Sequence, residues 1–242
     1  VCRNEGRLLG RIARSFSSKQ EVFDRNAVIA HRDRIAQRQD MSNYGYFRKD
    51  TIEEITDRLL DINRKFPVAI DLGCWDGQFA SGLHGRGGVQ QIYECDSSFE
   101  MLKLARKNND AHADPALQRR YVQINEEFLP FKSQMANLVV SPFFLHWTND
   151  IQQAFREVYR VLIPDGFFTG AMFACNTLKE LRTVLEKAEM RRDGVLSPHV
   201  SPLPTPGAIG DALTEAGFII TSVQSHVVSV EYRDIFQLMH HL

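Results

Sequence analysis

The spacing of apolar residues changes along the chain, and each change marks an element. Ile52, Ile55, Leu59 and Ile62 recur at three- and four-residue intervals, which predicts a helix over 51–62 behind an Asp50 or Thr51 cap. Residues 68–72 then read as a buried strand, apolar but for Asp71. Further strands are predicted over 91–95, 121–124 and 138–141, the last stopped by Pro142, with a helix over 98–107 capped by Ser97. Ile151, Phe155, Val158 and Leu162 share one helical face, which Pro164-Asp165-Gly166 closes before an apolar strand over 167–173. A helix over 177–188 leads to a proline-rich stretch over 196–207, expected to lack regular structure and to serve as a lid or partner loop. A helix over 208–216, stopped by Gly217, precedes strands over 218–223 and 225–232. Those two strands are too close for a helical crossover, so an antiparallel hairpin is expected.

Alternating strands and helices predict an α/β fold: a mostly parallel sheet with helices on both faces and a ligand crevice beyond the carboxyl ends of its strands. The organisation expected is a basic arm over 1–20, a helical segment over 21–65 and a sheet domain over 66–242. The 242 residues carry a formal charge of −1, which leaves a nucleic-acid partner unsupported, and no apolar run is long enough to cross a bilayer. Arg3, Arg7, Arg11 and Arg14 recur at helical spacing ahead of serines, a pattern that suits a mitochondrial targeting helix or a basic helix on an acidic partner. The four cysteines show no metal-ligand spacing and point to a reducing compartment. Cys74 and Cys95 fall near the ends of neighbouring strands, where buried thiols are commoner than a bridge.

The densest chemistry follows the first strand. Asp71, Gly73 and Gly77 stand where the first loop of an adenosyl-cofactor site needs a carboxylate and two residues without Cβ. The glycines are four apart, unlike the three-glycine turn of dinucleotide folds, and S-adenosylmethionine has no phosphate to seat on a helix terminus. The plainer alternative is that these residues only shape a strand-to-helix turn. Trp75 occupies the place of the expected middle glycine, so its indole must stack on a ligand, take the ligand's place or turn outward. Asp96, ending the second strand, is suited to accept from ribose hydroxyls.

Several blocks carry a family resemblance: Phe23-Asp24-Arg25-Asn26, Asp71-Leu72-Gly73-Cys74, residues 126–131 from Glu126, Leu145-His146-Trp147, Pro164-Asp165-Gly166, Gly170-Ala171-Met172-Phe173 and Ser197-Pro198-His199. Over residues 22–242 the chain resembles the mitochondrial complex I assembly factor five family and, more distantly, bacterial carboxyl-methyltransferases. The resemblance implies the class I methyltransferase fold, with a Rossmann-like seven-stranded sheet closed by the antiparallel hairpin. It implies S-adenosylmethionine as cofactor, a mitochondrial matrix location, and hydroxylation of an arginine on an iron–sulfur subunit of complex I during assembly. Carried over residue by residue, Asp71, Gly73 and Gly77 would meet the methionine end, Asp96 the ribose and Asn125 and Glu126 the adenine side, while His146 and Trp147 would line the substrate side. Trp75, Asn125 and Asn137 depart from the family's glycine and two aspartates, which implies a weakened or lost cofactor site.

The alternative reading is a catalytically inactive scaffold or subunit of a large mitochondrial assembly; methylation of a small carboxylic acid is a third, by analogy with the bacterial relatives. No catalytic residue is assigned, since His146 next to Trp147 is more often a packing residue than a base. His112, His240 and His241 lack companion ligands, so no metal site is expected. Asp76 reads as a turn cap or a substitute carboxylate. Arg32, Arg34 and Arg38, and Arg191-Arg192, read as solvated faces or partner surfaces.

Overall fold

The computed structural model describes residues 21–38, 45–111, 114–192, 194–197, 199–219 and 222–241. The basic arm, His112 and Pro198 lie outside these residues. Five strands form one parallel sheet: β1 (Val68–Leu72), β2 (Gln91–Asp96), β3 (Gln118–Gln123), β4 (Ala136–Pro142) and β5 (Leu162–Ala171), in spatial order β3-β2-β1-β4-β5. The order reverses at β1, so the crevice of such a sheet lies beyond Leu72, between the ends of β1 and β4. β1 is central and nearly wholly buried, which explains its unbroken apolar run.

Two apolar layers cover the sheet. On one face Ile70, Leu72, Val139, Phe144, Phe155, Val158 and Val161 pack together under α5 (Ile151–Val161). On the other, Ala69, Leu138 and Val140 meet Ile52, Ile55 and Leu59 of α2 (Tyr46–Asp61), together with Phe66 and with Phe79 of the short α3 (Gln78–Gly82). Asp150 caps α5 by accepting from Gln153 N at 2.8 Å, and the helix ends where β5 begins.

The structure corrects several expectations. α2 starts at Tyr46, five residues early, and Thr51 caps nothing: its hydroxyl donates to the carbonyl of Phe47 at 3.1 Å within the helix. Ser98, not Ser97, serves α4 (Phe99–Ala111), accepting from Met101 N at 3.1 Å. β5 starts before the Pro164-Asp165-Gly166 block, which forms an irregularity in its pairing with β4, Asp165 having φ 61°. α6 (Lys179–Arg192) runs past its expected end, and α7 (Pro206–Glu215) opens inside the proline stretch with Thr205 as cap and Pro206 in its first turn. Among the described residues, 222–232 form no strand and are mostly exposed, so the sheet they show has five strands rather than seven and no closing hairpin; residues 220 and 221 of the expected first strand lie outside the described residues. A β-branched segment has strand propensity, but a strand exists only once its backbone finds a ladder partner. α8 (Ile235–His241) follows, unforeseen by the apolar spacing.

Ahead of the sheet, α1 (Arg25–Ala36) begins at Asp24, whose carboxylate accepts from Asn26 N and Ala27 N. Arg32 is its only buried residue. An amphipathic helix normally docks through an apolar stripe; this one docks through charge.

Candidate functional site

The turn after β1 is shaped by packing. Gly73 has φ 79°, and a Cβ there would lie 2.2 Å from the ring of Phe144. Gly77 has φ 81°, and a Cβ there would meet the Asn109 amide at 2.5 Å. Both glycines are therefore required by the chain's own side chains, irrespective of any ligand. Trp75, between them, also adopts a positive φ of 52°, a conformation costing a non-glycine residue roughly 1–2 kcal/mol.

Asp96 is the centre of the site. Arg32 forks onto it, Nε donating to Oδ1 at 3.0 Å and Nη2 donating to Oδ2. Ser98 N donates to Oδ1 at 2.9 Å, and Trp75 N reaches Oδ2 at 3.3 Å. A carboxylate offers about four lone-pair positions. All are taken. The guanidinium carbon of Arg32 lies 4.0 Å from the indole centroid of Trp75 and 5.0 Å from the Phe144 ring. Arg48, from α2, lies 4.5 Å from the same indole and pairs with Asp76 at 3.1 Å, so Asp76 is an ion-pair partner rather than a simple cap. Burial pulls the Arg48 pKa down, against the opposing pull of Asp76.

Asp71 is wholly buried, and neither of its oxygens has a hydrogen-bond partner among the described residues. Burial first, then the neighbouring Glu94 and Asp96, push its carboxyl well above the usual range. Glu126 is also buried and is held in a two-point ion pair by Arg25 at 2.8 and 2.9 Å, which raises the Arg25 pKa. Asn125 closes a local turn, its side-chain oxygen accepting from Glu127 N at 3.0 Å. Asn137 lies elsewhere. Its side chain accepts from Val68 N at 3.0 Å at the start of β1, the opposite end of the sheet from Asp96, so it is no part of this site.

His146 and Trp147 stand in a short turn beyond β4. His146 is buried beside Phe173, ring centroids 5.0 Å apart, and its Nδ1 has no partner among the described residues. Burial, helped by the charge of Arg32, lowers its pKa to about 3, so the imidazole is neutral. Trp147 packs edge-on against Phe23 at 5.5 Å, and Asn149 binds the backbone of Val22 and Phe23 at 2.8 Å each. The start of α1 is thus stapled beyond β4, and its arginines cross to Glu126 after β3 and Asp96 after β2. Ser98 completes the line by donating to Asp33.

The sequence reading gives no site role to Arg25 or Arg48 and takes Arg32 as part of a solvated face or partner surface; Arg32 is instead buried against Asp96. Arg25 and Arg32 are seven residues apart, two turns along one helical face, and that spacing was the available signal. Cys74 and Cys95 are both buried and free. Among the described residues no three His, Cys, Asp or Glu side chains converge as metal ligands, and no helix is long and apolar enough to cross a membrane.

An adenosyl ligand needs Asp96 free to accept from its ribose. With α1 docked, Arg32, Ser98 N and Trp75 N take the acceptor positions of that carboxylate, so an adenosyl ligand would have to compete with Arg32 for it.

Comparison with known proteins fits this architecture. A methyltransferase domain model matches residues 70–169. An S-adenosylmethionine-dependent methyltransferase from Mesorhizobium loti superposes with a TM-score of 0.53 at 24% identity, over 70% of this chain and 81% of that one. The cyclase SpnF superposes at 0.55 and 18% identity, over 70% and 58%. These two likenesses establish the fold alone. A malonyl-acyl-carrier-protein O-methyltransferase from Methylovorus is 30% identical, over 96% of this chain and 71% of its own length. The mitochondrial arginine-hydroxylase NDUFAF5 of Homo sapiens is 36% identical over 91% of this chain, which spans 62% of that protein. That of Danio rerio is 37% identical over 97% of this chain and 71% of its own length. On that identity and coverage, the chain belongs to the arginine-hydroxylase NDUFAF5 family, built on a methyltransferase domain.

Proposed function

We propose that this chain acts in the mitochondrial matrix as a protein arginine hydroxylase of the assembly-factor type, with an arginine of an iron–sulfur subunit of complex I as its target and with affinity for S-adenosylmethionine weakened or lost. The observation that carries the reading is the guanidinium forked onto Asp96 at the crevice of the sheet. The pocket in which the fold would place a ribose diol is set for the chemistry of arginine. Hydroxylation replaces a C–H bond by C–OH, a two-electron oxidation that with dioxygen as oxidant puts one oxygen atom on the arginine and, with two electrons from a reductant and two protons, releases the other as water. Mass spectrometry of the target subunit, co-expressed with and without the chain, tests the activity. The expected result is a 16 Da gain (about the mass of one oxygen atom) on one arginine, only when the chain is present; an unmodified arginine in both would sink the proposal. Titration with S-adenosylmethionine tests the cofactor reading. Trp75→Gly with Asn125→Asp restores the family's residues and is expected to bind at least about tenfold more tightly than the unmodified chain. Equal, tight binding by both would overturn the claim of a weakened pocket.

A further inference from the structure

We propose that Asp96, Trp75 and Phe144 form a guanidinium cage that Arg32 fills in cis, and that an arginine side chain of a protein partner enters it by displacing helix α1. The inference rests on the arginine-directed reading above and adds to it the residues of the cage and its internal occupant.

Three observations select a guanidinium. The carboxylate of Asp96 receives two N–H groups of one planar fork, a contact that a lysine ammonium cannot reproduce. Trp75 stacks against the same cation and Phe144 stands near it. Gly73 lets Phe144 come this close, because any Cβ there would overlap its ring. Within the cage the side chain of Arg32 is only 4% exposed.

The way α1 is held makes exchange feasible. Arg32 is the helix's sole buried residue, and its other ties are the Arg25 pairs with Glu126 and Glu127, the Ser98–Asp33 hydrogen bond and the Asn149 staple. Leaving the cage also gives up the half-buried contacts of Val28, Ile29 and Ile35, which the surface of the partner must replace. An incoming arginine remakes the contact that Arg32 gives up, whereas a citrulline or lysine does not. Arg32 is thereby a tethered competitor, present at an effective concentration of order millimolar. A lone arginine does not outcompete it. A partner that also engages the surface around the cage does, and occupancy by Arg32 keeps the site closed until that partner arrives.

The test uses the full chain and its Arg32→Ala variant, titrated by calorimetry and thermal shift with N-acetyl-arginine N-methylamide and with its citrulline and lysine counterparts. Arg32→Ala is expected to bind the arginine probe at least about tenfold more tightly than the unmodified chain and to gain thermal stability with it, the other probes having no effect. If Arg32→Ala folds poorly, recovery of its melting transition by methylguanidinium but not methylammonium supports the cage. Arg32→Lys supplies a folded second background, in which the arginine probe is expected to displace the non-forking ammonium. Equal responses to the arginine and citrulline probes, or none in a folded variant, would overturn the cage. The outcome is independent of the mass assay: selective binding without hydroxylation removes the activity and leaves the cage, and hydroxylation without selective binding does the reverse.

Discussion

The Arg32–Asp96 pair admits a quantitative test. Both side chains are buried, and truncating one member of such a pair leaves a charge without its partner, at a cost of about 3–5 kcal/mol. Arg32→Met keeps bulk beside Trp75 and removes only the fork and the charge. For a chain of this size the loss corresponds to a melting temperature lower by roughly 6–20 °C. Asp96→Asn leaves Arg32 buried and also weakens the acceptor for Ser98 N and Trp75 N, so a similar loss is expected. The double variant has neither orphaned charge. Its cost should fall short of the sum of the singles by about 2–3 kcal/mol. Urea unfolding monitored by circular dichroism gives each corner of the cycle, read at constant m-value. Repeating the cycle in 1 M salt separates burial from exposure, because a buried pair is screened far less than a surface one. A cost below about 0.5 kcal/mol for Arg32→Met, the range of a solvated surface residue, would refute the reasoning, as would an additive cycle.

Three further outcomes follow from the same geometry. Burial raises the Glu94 carboxyl to about 8, so between its ordinary range and that value the folded chain binds the extra proton. Stability then falls as pH rises, by up to about 1.4 kcal/mol per pH unit, and Glu94→Gln should flatten that slope in melts recorded between about pH 5 and 8. His146 has the opposite sign: its folded pKa of about 3 lies below the unfolded value, so stability is present at neutral pH and lost as pH falls. Imidazole NMR shifts should show one histidine still neutral at about pH 5 that becomes visible to titration at higher pH in Arg32→Ala, and a His146 titrating near 6.5 in the intact chain would contradict the burial argument. Gly73→Ala combines a positive φ with overlap of Cβ and Cγ of Phe144 and should cost roughly 2–5 kcal/mol in urea unfolding, a loss within about 0.5 kcal/mol contradicting the packing argument.

The central sheet was legible because its strands and flanking helices write their burial into the apolar spacing: Val68–Leu72 and the face of Ile151, Phe155 and Val158 lie where the pattern puts them. Element ends were less legible, since a threonine can cap a helix or bond back within it, and only the run of the preceding turn decides. The carboxylate half of the site was also readable, as Asp71 lies one residue before the end of β1 and Asp96 ends β2, both strands of recognisable pattern. Its cationic half was not. Arg32 and Asp96 are 64 residues apart, and the seven-residue spacing from Arg25 marks a shared helical face without telling whether that face is buried or, like the neighbouring Arg34, exposed. The glycines were readable from their spacing after the strand, and their small size makes room for Phe144 and Asn109.

Trp75 explains why the cationic half and the altered turn belong together. A backbone at φ 52° favours glycine, and placing tryptophan there costs roughly 1–2 kcal/mol. Two guanidinium groups within 4.5 Å of its ring return about 0.5–2 kcal/mol each, so the strained indole is sustained by Arg32 and Arg48. Take the arginines away and the indole is strained without compensation; take the indole away and Arg32 loses a wall of its cage while Asp96 keeps the charge. The two halves are therefore one arrangement, in which the indole and the two guanidinium groups hold the turn after β1 against Asp96.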